Sequence, residues 1–296
     1  MIINRNNLET LFTGYNAAFQ RGVNFQEARA QWPMIAMETV SGTAAELYTW
    51  LGKIPGMKEW IGERVVRNVG EHELTIRNRD FEDTIAVDRN HIEDDSHGTY
   101  SELFRLLGMA VMKHPDELIW PLLKAGHETA CYDGQSFFDT DHPVEGVGTV
   151  SNRYGNAAPK WYLMDLESLA KPIIFQRRKR PNNLVRFDRE DDPNVFMRKE
   201  FLYGIDCRDN VGFAFWQSAA ASSEALDENK FTTAYQNMEG MKGDHGRPLG
   251  LRPTHLVVPP SMRATATKLL KNELGEDGET NTLRDWCEIM VVPWLA

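Results

Sequence analysis

Residues 99–126, TYSELFRLLGMAVMKHPDELIWPLLKAG, carry the strongest helical pattern in the 296-residue sequence. Leu103, Leu106, Leu107, Ala110 and Val111 recur at helical spacing, and Leu118, Ile119, Trp120, Leu122 and Leu123 carry the apolar surface past Pro115. Thr99 with Glu102 has the form of a capping box, and Gly126 suits the stop. Pro115 either kinks the helix or opens a second one at its first position; Asp116 and Glu117 would then lie in the first turn, where the helix dipole favours acids.

The flanks of this helix decide the fold class. Residues 1–40 read as an irregular arm with short helices: after Asn7, the side chains of Leu8, Leu11, Phe12, Tyr15 and Phe19 share a helical stripe that ends at Gly22. A packed N-terminal helix is the favoured reading, and its stripe needs a partner surface, on its own chain or on a neighbour. Between residues 46 and 70, Gly52, Pro55, Gly56, Gly62 and Gly70 leave no room for a helix longer than two turns. Leu74 and Ile76, then Ile85 and Val87, alternate with polar residues around Asn78, Arg79 and Asp80, the pattern of a charged β-hairpin. Such a ribbon is marginal alone in water and needs a sheet, a helix or another subunit to lie on. Beyond the long helix, strands are expected at 161–164 and 172–177, aromatic-rich β structure over 196–222, and a helix over 226–241 capped by Asp227. A buried strand at 254–260, a helix over 261–274 capped by Ser261 and a last strand at 287–294 follow. Helices and strands do not alternate regularly, which makes the class α+β.

Composition narrows the function. Lys and Arg number 33 against 43 Asp and Glu, a net charge of −10, so there is no basic surplus of the kind that grips phosphates. With 42% hydrophobic residues and 8 Trp the chain has ample material for a core. Cys131, Cys207 and Cys287 are odd in number and widely spaced, with no Cys-x-x-Cys pair, which argues against a disulfide framework or a zinc knuckle and for a reducing compartment. MIINRNNLETLF lacks the apolar core of a signal peptide, and no stretch approaches a membrane span; a soluble protein made in the cytoplasm is expected.

Candidate chemical groups are few. Asp139, Asp141 and His142 in FFDTDHPV would offer oxygen and nitrogen ligands to a metal, yet Asp-His-Pro is also a good turn initiator. Gly146 and Gly148 lack the strand and helix context of a dinucleotide fingerprint, and the glycines at 240–250 lack the Gly-Lys-Ser/Thr of a phosphate loop. No Gly-x-Ser-x-Gly elbow occurs. The basic run Arg177, Arg178, Lys179 and Arg180 lies close to Asp188–Asp192 and Glu200, and reads as a charged edge or subunit contact. The alternatives left open are a metal-dependent hydrolase built on Asp139, Asp141 and His142, and a nucleic-acid-binding module built on Arg177 to Arg180.

Six blocks carry a resemblance: WLGKIPGMKEWIGERVVRN, NRDFEDTIAVDRNHIEDD, HPDELIWPLLKAGHETACYDGQSFFDTDHPV, KPIIFQRRKRP, DDPNVFMRKEFLYGIDCRDNVGFAFWQ and HGRPLGLRPTHLVVPPSMRATATKLL. Together they resemble the Mu-like phage major head subunit family, the gpT-type coat proteins, from about residue 5 to the end. The resemblance implies a Hong Kong-97-type phage major capsid fold. It would place an N-terminal arm at 1–45, an extended β-hairpin loop with flanking strands at 46–98, and a peripheral domain with a spine helix at 99–164. A mainly axial domain would fill 165–286, and a closing strand 287–296. It implies no enzyme activity and no cofactor. The chain would assemble with itself into the pentamers and hexamers of an icosahedral shell, part of the virion, built in the host bacterial cytoplasm. Further partners would be a scaffold or prohead protease, a portal, decoration proteins and packaged double-stranded DNA held without sequence-specific binding; no membrane is involved. Subunit contacts favour aromatic and Arg side chains, which nominates Phe12, Tyr15, Phe19, Trp50, Trp60, Arg64, Arg79 and Phe81. Shell expansion would need hinges, for which Gly52, Gly56, Gly62 and Pro115 are the candidates, and the 240–250 loop is a candidate for lining the axial opening of a ring.

Overall fold

The computed structural model describes residues 5–49, 51, 74–94, 99–167, 170–275 and 278–296. The first half of the chain contains α1 (Arg5–Glu27), α2 (Trp32–Ile35), β1 (Ala36–Val40), β2 (Ala45–Tyr48), β3 (Leu74–Arg77), β4 (Arg79–Asp88), α3 (Arg89–Asp94) and α4 (Thr99–Lys124). Short strands β5 (His142–Val144), β6 (Gly148–Val150) and β7 (Arg153–Tyr154) follow, then β8 (Trp161–Met164), β9 (Ile173–Lys179), β10 (Val185–Phe187), α5 (Pro193–Arg198) and β11 (Glu200–Phe213). The chain closes with β12 (Ala219–Ser222), α6 (Glu228–Glu239), β13 (His255–Val258), α7 (Arg263–Lys271) and β14 (Glu288–Val291).

The sequence-predicted helix over 99–126 is α4, and it runs on through Pro115 and Pro121 without starting a second helix. In its first turn the Glu102 carboxylate accepts from Arg105 Nε at 2.9 and 3.0 Å. α4 serves two cores. Its first half places Phe104 and Leu107 among Tyr15, Phe19, Phe201 and Tyr203. Its second half places Ile119, Trp120 and Leu123 in the larger core with Phe137, Phe138, Trp161, Phe175 and Trp216.

Over the described residues 5–40, the packed N-terminal helix is present as one long element in place of an irregular arm with short helices. α1 is one 23-residue helix laid along α4, and Gly22 is not its stop but its closest approach to α4. A Cβ at Gly22 would lie 2.0 Å from the Arg105 carbonyl oxygen, and one at Gly108 would lie 2.1 Å from that of Phe19. Each glycine thus admits the other helix's backbone, and the apolar stripe of α1 finds its partner on its own chain.

The hairpin expected around Asn78 is also placed differently. β3 pairs antiparallel with β2, and β4 pairs antiparallel with β11 over Arg79–Asp88, so the two runs belong to different sheets. The reason is Asn78 itself, which is buried rather than exposed in a turn. Its Nδ2 donates to Ser41 Oγ and the Thr43 carbonyl, both at 2.9 Å, and its Oδ1 accepts from Gln176 Nε2 at 2.8 Å. The antiparallel ribbon is β2 with β3, joined through residues 49–73.

Two mixed sheets dominate. In the first, β9 lies between β1 and β11, and Leu202 of β11 faces Phe187 of β10 on one side and Ala86 of β4 on the other. In the second the order is β14, β13, β8, β12, β7, with the ends parallel and the middle antiparallel. The expected helix at 226–241 is α6, with Asp227 accepting from the Lys230 N–H at 2.8 Å. Ser261 is not a cap: it lies in a 3-10 turn, Pro260–Met262, ahead of α7.

Candidate functional site

The three residues of the proposed metal centre do not converge. His142 is completely buried on β5, its ring stacked 4.0 Å from the Trp216 ring. Its Nδ1 lies 2.7 Å from Asp133 Oδ2 and its Nε2 3.3 Å from Asn152 Oδ1, so both nitrogens face partners other than Asp139 and Asp141. Asn152 is oriented by its own bonds: Nδ2 donates to the carbonyls of Phe137, Trp216 and Ala219, and Oδ1 accepts from the Asp139 N–H at 2.9 Å. Asp139 and Asp141 hydrogen-bond each other, which holds the exposed Asp141 carboxyl above its ordinary range. Burial would raise Asp139 as well, but the Thr140 N–H and Asp141 prevail and hold it low.

Asp133 was not nominated by the sequence, yet it is the centre of this network. Its Oδ1 accepts from the Cys131 thiol and from the Gln135 N–H, each at 3.0 Å. Burial opposes ionisation of Asp133, and hydrogen bonds from His142 and Cys131 outweigh it, so its carboxyl is held below the usual range. Burial pushes the Cys131 thiol far up, leaving a protonated donor rather than a nucleophile. Cys131, Asp133 and His142 form one of two mixed clusters among the described residues; the other is His114, Cys207 and Asp209. There, His114 Nε2 on α4 meets Asp209 Oδ1 on β11 at 3.0 Å, and Phe81 packs its ring 4.2 Å from the His114 ring. Burial and the Asp209 charge push the Cys207 thiol up to about 12. Both clusters tie segments of the chain together through hydrogen bonds.

The basic run is engaged inside its own chain, where its four cations meet two acids, Glu38 and Asp206, and a backbone carbonyl. Arg177 is buried, lies over the Phe175 ring at 4.6 Å and faces Glu38 at 3.4 Å. Arg178 donates to the Ser41 carbonyl at 3.1 Å, Lys179 pairs with Asp206, and Arg180 pairs with Glu38. These four residues do not form a phosphate-gripping face, and the nucleic-acid reading loses its basis.

Of the nominated contact residues, Tyr15 and Phe19 are buried by their own chain, so they leave no surface for a neighbour; this corrects the expectation, and the reason is the α1–α4 crossing. Phe12 is half-buried beneath Arg186, 4.4 Å from its ring centre. Arg79 is exposed and lies over the half-buried Phe81 at 5.2 Å. Trp50, Trp60 and Arg64, with the hinge candidates Gly52, Gly56 and Gly62, lie outside the described residues. Pro115 is buried within the continuous α4. The 240–250 loop is pinned to the β5–β6 turn, where the His245 N–H donates to the Glu145 carbonyl at 2.6 Å.

A subunit of the procapsid of bacteriophage JBD30 superposes with a TM-score of 0.83 and 39% identity, covering 99% of this chain and 100% of its own. The fold is therefore that of the Hong Kong-97-type phage major capsid proteins, a mixed helix-and-sheet subunit. The family model of the Mu-like prophage major head subunit gpT matches residues 8–295. The chain is 38% identical to the major capsid protein of Escherichia phage Mu over the whole of both sequences. It is 42% identical to the Mu-like prophage FluMu major head subunit of Haemophilus influenzae, over 92% of this chain and 91% of that one. The chain belongs to the Mu-like prophage major head subunit family: it is a structural capsid protein of the phage head and not an enzyme.

Proposed function

We propose that copies of this chain form pentamers and hexamers that close into an icosahedral shell around double-stranded DNA. The observation that carries this reading is the end-to-end fit to a procapsid subunit, with the reactive groups Cys131, Asp133 and His142 used up in holding loops together. Repeated heterologous contacts close rings when the rotation closes, and rings joined through further contacts close a shell. DNA is enclosed and not gripped, in keeping with the net charge of −10 and with a basic run whose Arg177, Lys179 and Arg180 face acids of their own chain. Assembly takes place in the host bacterial cytoplasm with a scaffold or prohead protease, a portal and decoration proteins. Phe12, Arg79 and Phe81, which keep exposed surface, contribute to contacts between subunits. The 240–250 loop lines the ring opening.

Negative-stain microscopy of the purified full-length chain tests this. Shells, rings or tubes are expected as concentration rises; a protein that stays monomeric throughout overturns the proposal. Pro115 acts as a hinge in expansion because it withholds a backbone donor from the middle of α4. Pro115→Ala restores that donor and is expected to leave heads in the smaller, unexpanded form. Heads of normal final diameter would show that α4 does not flex there.

A further inference from the structure

Among the described residues most large apolar side chains are buried, and several of the exposed ones gather at one corner. Phe196 and Met197 on α5 are 80% and 76% exposed, and Val185 and Phe187 on β10 are each just over half exposed. These are not loose side chains on a wandering loop. Asn194 Nδ2 donates to the Phe187 carbonyl at 3.0 Å and to the Glu200 carbonyl at 2.6 Å, fastening α5 to the ends of β10 and β11. Val195 anchors the same short helix in the smaller core, and Lys199 closes it in a left-handed conformation at φ 58°. The fold thus holds Phe196 and Met197 outward on a fixed platform. Val185 and Phe187 lie two apart on one face of β10, while Arg186 between them turns inward to Glu9 and the Phe12 ring. Among the described residues β10 pairs with β11 alone, leaving its other edge open there as well.

We infer that this α5–β10 corner is a subunit–subunit contact, and that its partner is a second copy of this chain. Fixed, clustered apolar side chains at a strand edge are costly on a soluble surface unless something covers them. The rim carries both signs, with Asp191 and Arg198 both exposed, so the patch complements another copy of itself better than a uniformly charged ligand such as DNA. A shell built of identical chains supplies that second copy at high local concentration, so even a small contact is reinforced by its repetition. This inference rests on the proposed shell assembly and names one of its surfaces.

The test uses the full-length chain in two arms. Phe196→Asp/Met197→Asp is expected to keep the wild-type denaturation midpoint, because both side chains are already in water, while the yield of assembled particles falls about tenfold or more. Phe196→Ser/Met197→Ser separates lost burial from charge repulsion and is expected to fall in the same direction. Wild-type yield from both variants overturns the inference while leaving shell assembly standing. In the second arm Met197→Cys is treated with a short bis-maleimide; the three native cysteines are buried and do not compete. Cross-linked dimers are expected even in material that has not closed into shells. Their absence in assembled and unassembled protein alike overturns the inference, and failure of the wild type to assemble at all counts against the shell reading alone.

Discussion

Asn152 holds the middle of the chain with a single side chain. Its amide joins the 137–139 segment, the Trp216 turn, β12 and His142, and it is wholly buried. Asn152→Leu keeps the branched shape, adds bulk and strands those acceptors and the Asp139 N–H; a loss of about 3 kcal/mol or more is expected in urea denaturation. A loss within the range of surface substitutions would show that water replaces the amide. Asp133 adds a pH dependence. Its folded-state carboxyl is held below the unfolded value, so its contribution is complete above the ordinary carboxylate pKa and is lost as pH falls through the lowered one. The penalty of Asp133→Asn should therefore be largest near neutrality and shrink in acid; a pH-independent penalty in urea midpoints contradicts this. Little of this network was legible beforehand. Asp-His-Pro stood out as a turn or ligand set, but the partners that engage His142 lie nine residues before it and ten after, and only the folded loops bring them to its ring.

Between elements, the decisive contact is glycine against backbone. Gly22 and Gly108 let α1 and α4 approach until each would clash with a Cβ on the other. Gly108→Ala gains about 1 kcal/mol of helix propensity in isolation. The added methyl meets the Phe19 carbonyl, and a net destabilisation of about 1–3 kcal/mol is expected, with faster hydrogen exchange in α1. Neutral or improved stability would mean that the helices do not pack at that distance. A glycine inside a helical apolar stripe was the available hint, since it forgoes propensity for no local reason; at Gly22 it reads equally well as a stop. α4, α6, β8, β9 and β11 were legible because their patterns are long or continuously apolar. The β2–β3 ribbon was not, because the alternation of residues 74–77 and 79–88 looks the same whether the runs pair with each other or with distant strands. What separates them is Asn78, whose partners Ser41, Thr43 and Gln176 are far away in sequence.

At the scale of the whole molecule, charge and burial point the same way. The excess of acids gives the subunit no net attraction for phosphate, and the basic run serves contacts inside the subunit. What the subunit leaves unsatisfied lies outside: the open edge of β10, the outward side chains of α5, and Arg79 at the start of β4. Those features make sense when the unit that completes them is another copy. The class of fold was legible from the order of helix and strand patterns, whereas surfaces of association were not, because an exposed Phe196 and a buried Phe201 look alike in a sequence. The most direct test is a cryo-electron microscopy reconstruction of particles formed by the full-length chain. A closed lattice of five- and six-membered rings of this chain is expected, with α1 lying on α4 of the same subunit. Amorphous aggregates, or a protein that remains monomeric at every concentration, would contradict it.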